Sequence, residues 1–246
     1  MKPKLFGAVC SVCLLQTSML FAGSSTEPDA FTSITPTSTS DPWITGSLNA
    51  GFETLHVYRG VDSSFGEQNY WGSLDLDMLN FFHFNLYSGH SSNREYNELT
   101  PSAYLYKDVG PVRLSTGVIL YHFPSGKGSD SDEYFVSASS EIAYGIQATA
   151  YFSYNERADG WYDELKLSRN TELTDRLSLE TSAALGFSDG LRSGGNGLDN
   201  LTISVGLPIK ITDQITLKPL AGYAFALDAL DSGDESWAGL TASFKF

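Results

Sequence analysis

The sequence predicts an all-β, transmembrane, antiparallel up-and-down barrel of about twelve strands, closed by its C-terminal strand. Three observations predict it. Apolar and polar residues alternate through most of the chain, connections are short on one side and long on the other, and aromatic residues are sorted by strand end.

Composition sets the frame. The chain has 246 residues, 41% of them hydrophobic and only 18% charged, with a formal charge of −14. That is too apolar for a disordered acidic tail. The acidity excludes nucleic acid as a partner, because phosphate binding needs a concentrated basic surface. Beyond the N-terminus no apolar run approaches the roughly 18–20 residues of a spanning helix, which excludes a helical membrane bundle.

Residues 1–22 read as a secretory signal peptide: Lys2 and Lys4 precede an apolar stretch, and Ala22, Gly23 and Ser24 offer a small-residue cleavage site. The only cysteines, Cys10 and Cys13, lie within it. The mature chain is therefore expected to lack disulfides, thiolate metal sites and a cysteine nucleophile. Residues 23–42 are rich in Ser, Thr and Pro and read as a flexible lead-in. From residue 43 to 246 the character is constant, which predicts one barrel domain.

Within that domain the strands follow in order. The first is expected over 43–59, with Asn49 and Glu53 on its polar face. The second, 69–78, sets Tyr70, Gly72, Leu74, Leu76 and Met78 against Ser73, Asp75 and Asp77. A third over 81–89 turns His83 and Asn85 to the polar side, a fourth over 96–106 Glu98, and a fifth over 111–123 Arg113 and Tyr121. Strands at 133–143 and 146–155 carry Glu133, Glu141, Gln147 and Tyr151. The eighth, 160–169, carries Glu164 and Lys166, and the ninth, 177–188, has Ser178, Glu180, Ser182 and Gly186 on one face. The last three, 199–211, 214–227 and 235–246, add Lys210, Lys218 and Lys245. Such alternation puts one face in an apolar medium and the other in water.

Connections after the second, fourth, sixth and tenth strands are brief, and most of the others are long and polar. One pair breaks the rule, since 156–159 is shorter than 170–176. Aromatics on the apolar face gather near one rim (Tyr70, Tyr134, Phe152, Tyr154, Phe187, Tyr223, Phe225) and the other (Phe82, Phe244, Phe246). Membrane interfaces sort aromatics in this way. Phe244 and Phe246 on the final strand are similar to the C-terminal signal by which the barrel-assembly machinery recognises its clients. A soluble β-sandwich or lipocalin-like barrel would share the alternation, though with the apolar face inward.

The segment Val57-Tyr58-Arg59-Gly60-Val61, at the end of the stretch beginning at Gly51, resembles the opening of the TorF-type porins. The resemblance extends to residues 117–124, 133–137 and the closing strand. It implies a bacterial outer-membrane location, among outer-membrane lipids, and a pore.

The polar face then describes a lumen. Glu53, Asp75 and Asp77 come from early strands, whereas Lys166, Lys210, Lys218 and Lys245 come from later ones. This predicts a transverse field and a mild cation preference for small polar or ionic solutes. Alternatively the lumen charges merely pair across strands, with Glu164, Lys166 and Glu180 forming a ladder. Arg59 has lumen parity at the first loop and is expected either to anchor that loop through Asp62 or Glu67 or to stand exposed at the rim.

No Gly-x-Ser-x-Gly elbow and no His-Glu-x-x-His pattern occurs, and neither an enzyme nor a cofactor is expected. A barrel-embedded lipid hydrolase would draw on His56 and His122, which by parity lean toward the lipid face. A structural or adhesive barrel with a plugged lumen and acidic binding loops (Asp228, Asp231, Asp234, Glu235) is the remaining alternative.

Overall fold

In the computed structural model the described residues are 43–125 and 127–246. The expected signal peptide and lead-in lie outside them. Fifteen strands form: β1 Ile44–Glu53, β2 Val57–Tyr58, β3 Val61–Asp62, β4 Asn69–Met78, β5 Phe82–Ser91, β6 Asn97–Val109, β7 Val112–Tyr121 and β8 Ser131–Ala143. They continue with β9 Ile146–Asn155, β10 Gly160–Thr174, β11 Leu177–Asp189, β12 Gly197–Gly206, β13 Ile209–Lys210, β14 Ile215–Ala226 and β15 Glu235–Lys245. Among the described residues there is no helix.

The sheet closes on itself. Each long strand pairs antiparallel with its sequence neighbours, and β1 pairs with both β4 and β15. Twelve strands make the wall, with β13 as a continuation of β12 and β2–β3 standing apart as a hairpin. Closure satisfies every edge, which a sheet in hydrocarbon requires. The seam is completed by Phe246, whose backbone exchanges two hydrogen bonds of 3.0 Å with Gly46.

Burial reproduces the alternation. Leu48, Leu105, Leu114, Val136, Leu165, Ile203 and Leu240 stand 46–54% exposed among others on the outside, while His83, Asn85, Ser102 and Ser137 are buried within. An exposed apolar belt over a polar interior is the inverse of a soluble barrel.

Most strand ends fall within three residues of the sequence expectation, and three boundaries differ by five or more. The first strand ends at Glu53 rather than residue 59, because Arg59 (φ 48°) and Gly60 (φ 78°) form a tight turn that folds residues 57–62 into their own hairpin. Consecutive positive-φ residues suit a two-residue hairpin, and glycine supplies the second without strain. The eighth wall strand, β10, runs to Thr174 instead of 169, leaving only Asp175 and Arg176 as its turn. Outward-facing Arg169 and Thr171 interrupt the apolar alternation there, although the ladder with β11 continues. The apparent exception to the turn-and-loop asymmetry thereby disappears. The tenth wall strand breaks at Leu207-Pro208, where proline cannot donate to the ladder, and resumes as β13.

Glycines inside the wall make room for rings. Gly51 lies opposite Trp71 and Gly222 opposite Trp237, and a Cβ at either would overlap its partner's indole ring. A ring lying over a glycine restores the contact surface that the glycine lacks. Gly222→Val is expected to displace Trp237 and to lower stability by about 1–3 kcal/mol, the ordinary cost of overpacking. Thermal unfolding followed by heat-modifiable gel mobility checks it.

Candidate functional site: a lumen narrowed by its first loop

Connections of two to four residues lie at one end of the barrel with Ile44 and Phe246, and those of four to fifteen at the other. At the loop end the first loop, 54–68, turns inward. Val57, Tyr58 and Val61 are buried, and Ser63 and Ser64 are fully so. The turn at its core is self-capped, with Asp62 accepting from Ser64 N at 2.8 Å. His56 Nδ1 meets Glu53 Oε2 at 3.1 Å, and its ring lies 5.1 Å from that of Tyr96. His56 is thus inside the barrel and not on the lipid face. The loop's inward path reverses the parity that a continuous strand would have given it.

Arg59 is the tip of this loop. Its guanidinium donates from Nη1 and Nη2 to Glu133 Oε2 and Oε1 at 2.9 and 2.7 Å. Glu133 sits on β8, five wall strands from β1, so the pair reaches across the lumen. Neither Asp62 nor Glu67 is the anchor. Asp62 is committed to capping the turn, and Glu67 accepts from Ser92 Oγ at 2.6 Å. The guanidinium also lies 4.0 Å over the Tyr162 ring and 4.8 Å over that of Tyr58. A planar, weakly hydrated cation suits such burial between rings and a carboxylate better than an ammonium would. Tyr58 OH bonds Tyr121 OH at 2.8 Å, and Tyr151 OH donates to Glu133 at 2.8 Å.

A second arginine backs the first. Arg192 holds Asp199 through Nε at 2.8 Å and donates from Nη2 to the Arg59 carbonyl at 3.0 Å. Gly60 is pressed against Asn200 and Leu230, so the hairpin contacts the wall and the last loop.

Beneath the hairpin the wall changes character. From β6 to β10 it carries a buried cluster that includes Tyr104, Tyr121, Phe135, Tyr151 and Tyr162. A lumen of small polar side chains is therefore found along only part of the wall. Alternation detects that a position faces inward, but it does not report that an inward-facing tyrosine packs with others from neighbouring strands.

Toward the turn end the lumen is polar and charged. Asp75 accepts from Asn49 Nδ2 (2.8 Å), Asn85 Nδ2 (2.7 Å) and Ser73 Oγ (3.0 Å), while His83 Nδ1 meets Asp77 Oδ1 at 2.9 Å. Both carboxylates keep 28–31% of their side-chain surface exposed. Lys166 stands on β10, six wall strands from β4 and hence on the opposite side. Arg113 is taken by Asp108 in a bidentate pair of 2.7 and 2.9 Å. Glu164 accepts from Tyr162 OH at 3.1 Å.

Glu164, Lys166 and Glu180 do not line up as one ladder. Lys166 lies opposite Ala184, two inward-facing rows from Glu180. Glu180 instead pairs with Lys218 at 3.1 Å. The intervening β12 presents Gly206 there, whose missing side chain lets the two meet.

Phe244 and Phe246 face outward at the turn end with ring centroids 6.3 Å apart. Among the described residues no group of histidines and carboxylates has the geometry to hold a metal ion. His83 and His122 each meet a carboxylate, Asp77 and Asp130, and among the described residues no hydrogen bond joins either ring to a serine hydroxyl.

No family model matches the chain, and no curated protein does. Solved structures do. The KdgM porin superposes with a TM-score of 0.59 at 11% identity, covering 81% of this chain and 99% of that one. This is the fold of porin-like outer-membrane barrels. The NanC porin gives 0.59 at 10% identity, over 82% of this chain and 100% of that one. The COG4313 outer-membrane channel from Pseudomonas putida F1 gives 0.51 at 12% identity, over 82% and 95%.

Proposed function

We propose that the chain is a TorF-type outer-membrane porin that passes small polar or ionic solutes by diffusion, with a mild preference for cations. The observation that carries this reading is a closed twelve-strand wall, apolar outside, with Asp75 and Asp77 exposed on its inner surface and Lys166 across from them. The turn end is then periplasmic and the loop end extracellular. Planar-bilayer recording under a salt gradient tests it: discrete conductance with a cation-favouring reversal potential is expected, and clear anion selectivity would overturn the selectivity.

The inward hairpin favours a second reading, a barrel shut at its outer half. Arg59 and Glu133 are held from two sides of the lumen and are 4% and 1% exposed at their side chains. Absence of any current from well-folded protein would favour it.

The C-terminal strand is proposed to engage the barrel-assembly machinery through Phe244 and Phe246. Phe246→Ala removes the ring that covers Gly46. It is expected to lower the folded, heat-modifiable fraction in cell envelopes, read by gel mobility against wild type.

A further inference from the structure

The outer wall carries a feature that the lumen does not explain. A cavity of about 490 Å³ opens on the lipid-facing side across β6 to β9. Two cross-strand rows form it. One runs Leu105, Thr116, Val136, Phe152, and the next, nearer the turns, begins Lys107, Leu114, Ala138. Its floor is low because Thr116 and Ala138 are small. The Thr116 hydroxyl is turned back onto the Phe135 carbonyl at 3.0 Å, leaving its methyl to the cavity. Leu105, Leu114, Val136 and Phe152, each 46–52% exposed, make the sides.

Lys107 stands at the turn end of this furrow, near the close of β6 and on the lipid-facing parity. Among the described residues no ion pair takes its ammonium. A lysine on the lipid face costs little near the interface and several kcal/mol at the midplane, so its position two residues from the turn suits a headgroup contact. The size falls in the range of about 300–1,000 Å³ of ligand sites, which pair an apolar lining with a few placed polar groups.

We propose that this furrow binds one anionic glycerophospholipid of the inner leaflet, an acyl chain lying along the two rows and the phosphate on Lys107. The proposal rests on the membrane orientation given above, not on conduction. The chemistry assigns each part. Methylene groups meet Leu, Val and Phe, and the acidic headgroup meets a cation on a protein that carries far more carboxylates than amines.

Native mass spectrometry of detergent-refolded full chain with dioleoylphosphatidylglycerol tests it. One retained lipid per protein is expected, with dioleoylphosphatidylethanolamine retained at least several-fold less. Ala138→Trp fills the floor and is expected to abolish retention. Lys107→Gln leaves the cavity intact and is expected to erase the preference for the anionic headgroup. Ala221→Trp, an outward position on β14, serves as the control and should retain lipid as wild type does. Equal retention by Ala138→Trp, or no headgroup preference in wild type, would overturn the proposal. Heat-modifiable mobility confirms folding of each variant, and single-channel current is measured separately, so that loss of lipid retention is distinguished from loss of the pore.

Discussion

Arg59→Ala is expected to raise single-channel conductance severalfold and to lower thermal stability. The side chain removed is the one that crosses the lumen, and its loss leaves Glu133 with neutral donors such as Tyr151 OH and the Ser153 hydroxyl. Breaking a buried ion pair from one side typically costs about 3–5 kcal/mol, because the surviving charge stays desolvated. Here the protein has a way to relieve that cost. If the hairpin leaves the lumen, water reaches Glu133, and the same movement widens the channel. The loop keeps other ties, among them Tyr58 OH to Tyr121 OH, His56 to Glu53 and the bond from Arg192 Nη2 to the carbonyl of residue 59, so its release is expected to be partial. Neutral bonds each contribute about 1 kcal/mol net.

The conservative variants separate geometry from charge. Arg59→Lys keeps the charge but loses the fork and the stacking on Tyr162, so partial opening is expected. The double variant Arg59→Leu with Glu133→Leu removes both charges and is expected to recover much of the stability lost by either single change. Planar-bilayer conductance and thermal unfolding measure the two effects. Wild-type conductance in Arg59→Ala would show that the hairpin is not what narrows the path.

The wall was legible in the sequence because a barrel writes its two solvents into alternate residues. Leu201, Ile203 and Val205 against Thr202 and Ser204 leave no other economical arrangement, and the ladder from β12 to β14 follows that parity. Asp75, Asp77 and Lys166 were found for the same reason: parity assigns them to the lumen wherever the strand ends fall. The first loop was not legible. Phe52 and Tyr58 share the apolar parity of β1, so the sequence extends the strand as far as residue 59. Only the Arg59-Gly60 pair signals a turn, and an arginine at positive φ is an uncommon choice. Nor does any local pattern connect Arg59 with Glu133, 74 residues away. Such a pair is fixed by closure of the whole barrel. The Glu180–Lys218 pair is a milder case, since it depends on Gly206 leaving space on the strand between.

Replacing both Asp75 and Asp77 by asparagine is expected to abolish the cation preference. Asp75 and Asp77 lie 3.8 and 2.9 Å from nitrogens of one His83 ring, so the variant also frees that imidazole from its acidic neighbours. A cation passing about 4 Å from a carboxylate in a water-like lumen gains about 1 kcal/mol, roughly fivefold in local concentration. Two carboxylates on one wall therefore suffice to bias permeation, while Lys166 on the far wall works against them. Lys166→Ala is accordingly expected to shift the reversal potential in the opposite direction, toward stronger cation preference. Screening gives an internal check. The Debye length shrinks from about 10 Å at 0.1 M to about 3 Å at 1 M, so the difference between variant and wild type should be large at low salt and fade at high salt. Reversal potentials measured across a series of KCl gradients decide it. A variant that keeps wild-type selectivity at 0.1 M would place the selective region elsewhere, at the hairpin or in the acidic loops. Opening the channel through Arg59→Ala and then repeating the measurement distinguishes those two, because a hairpin filter disappears with the hairpin and a loop field does not.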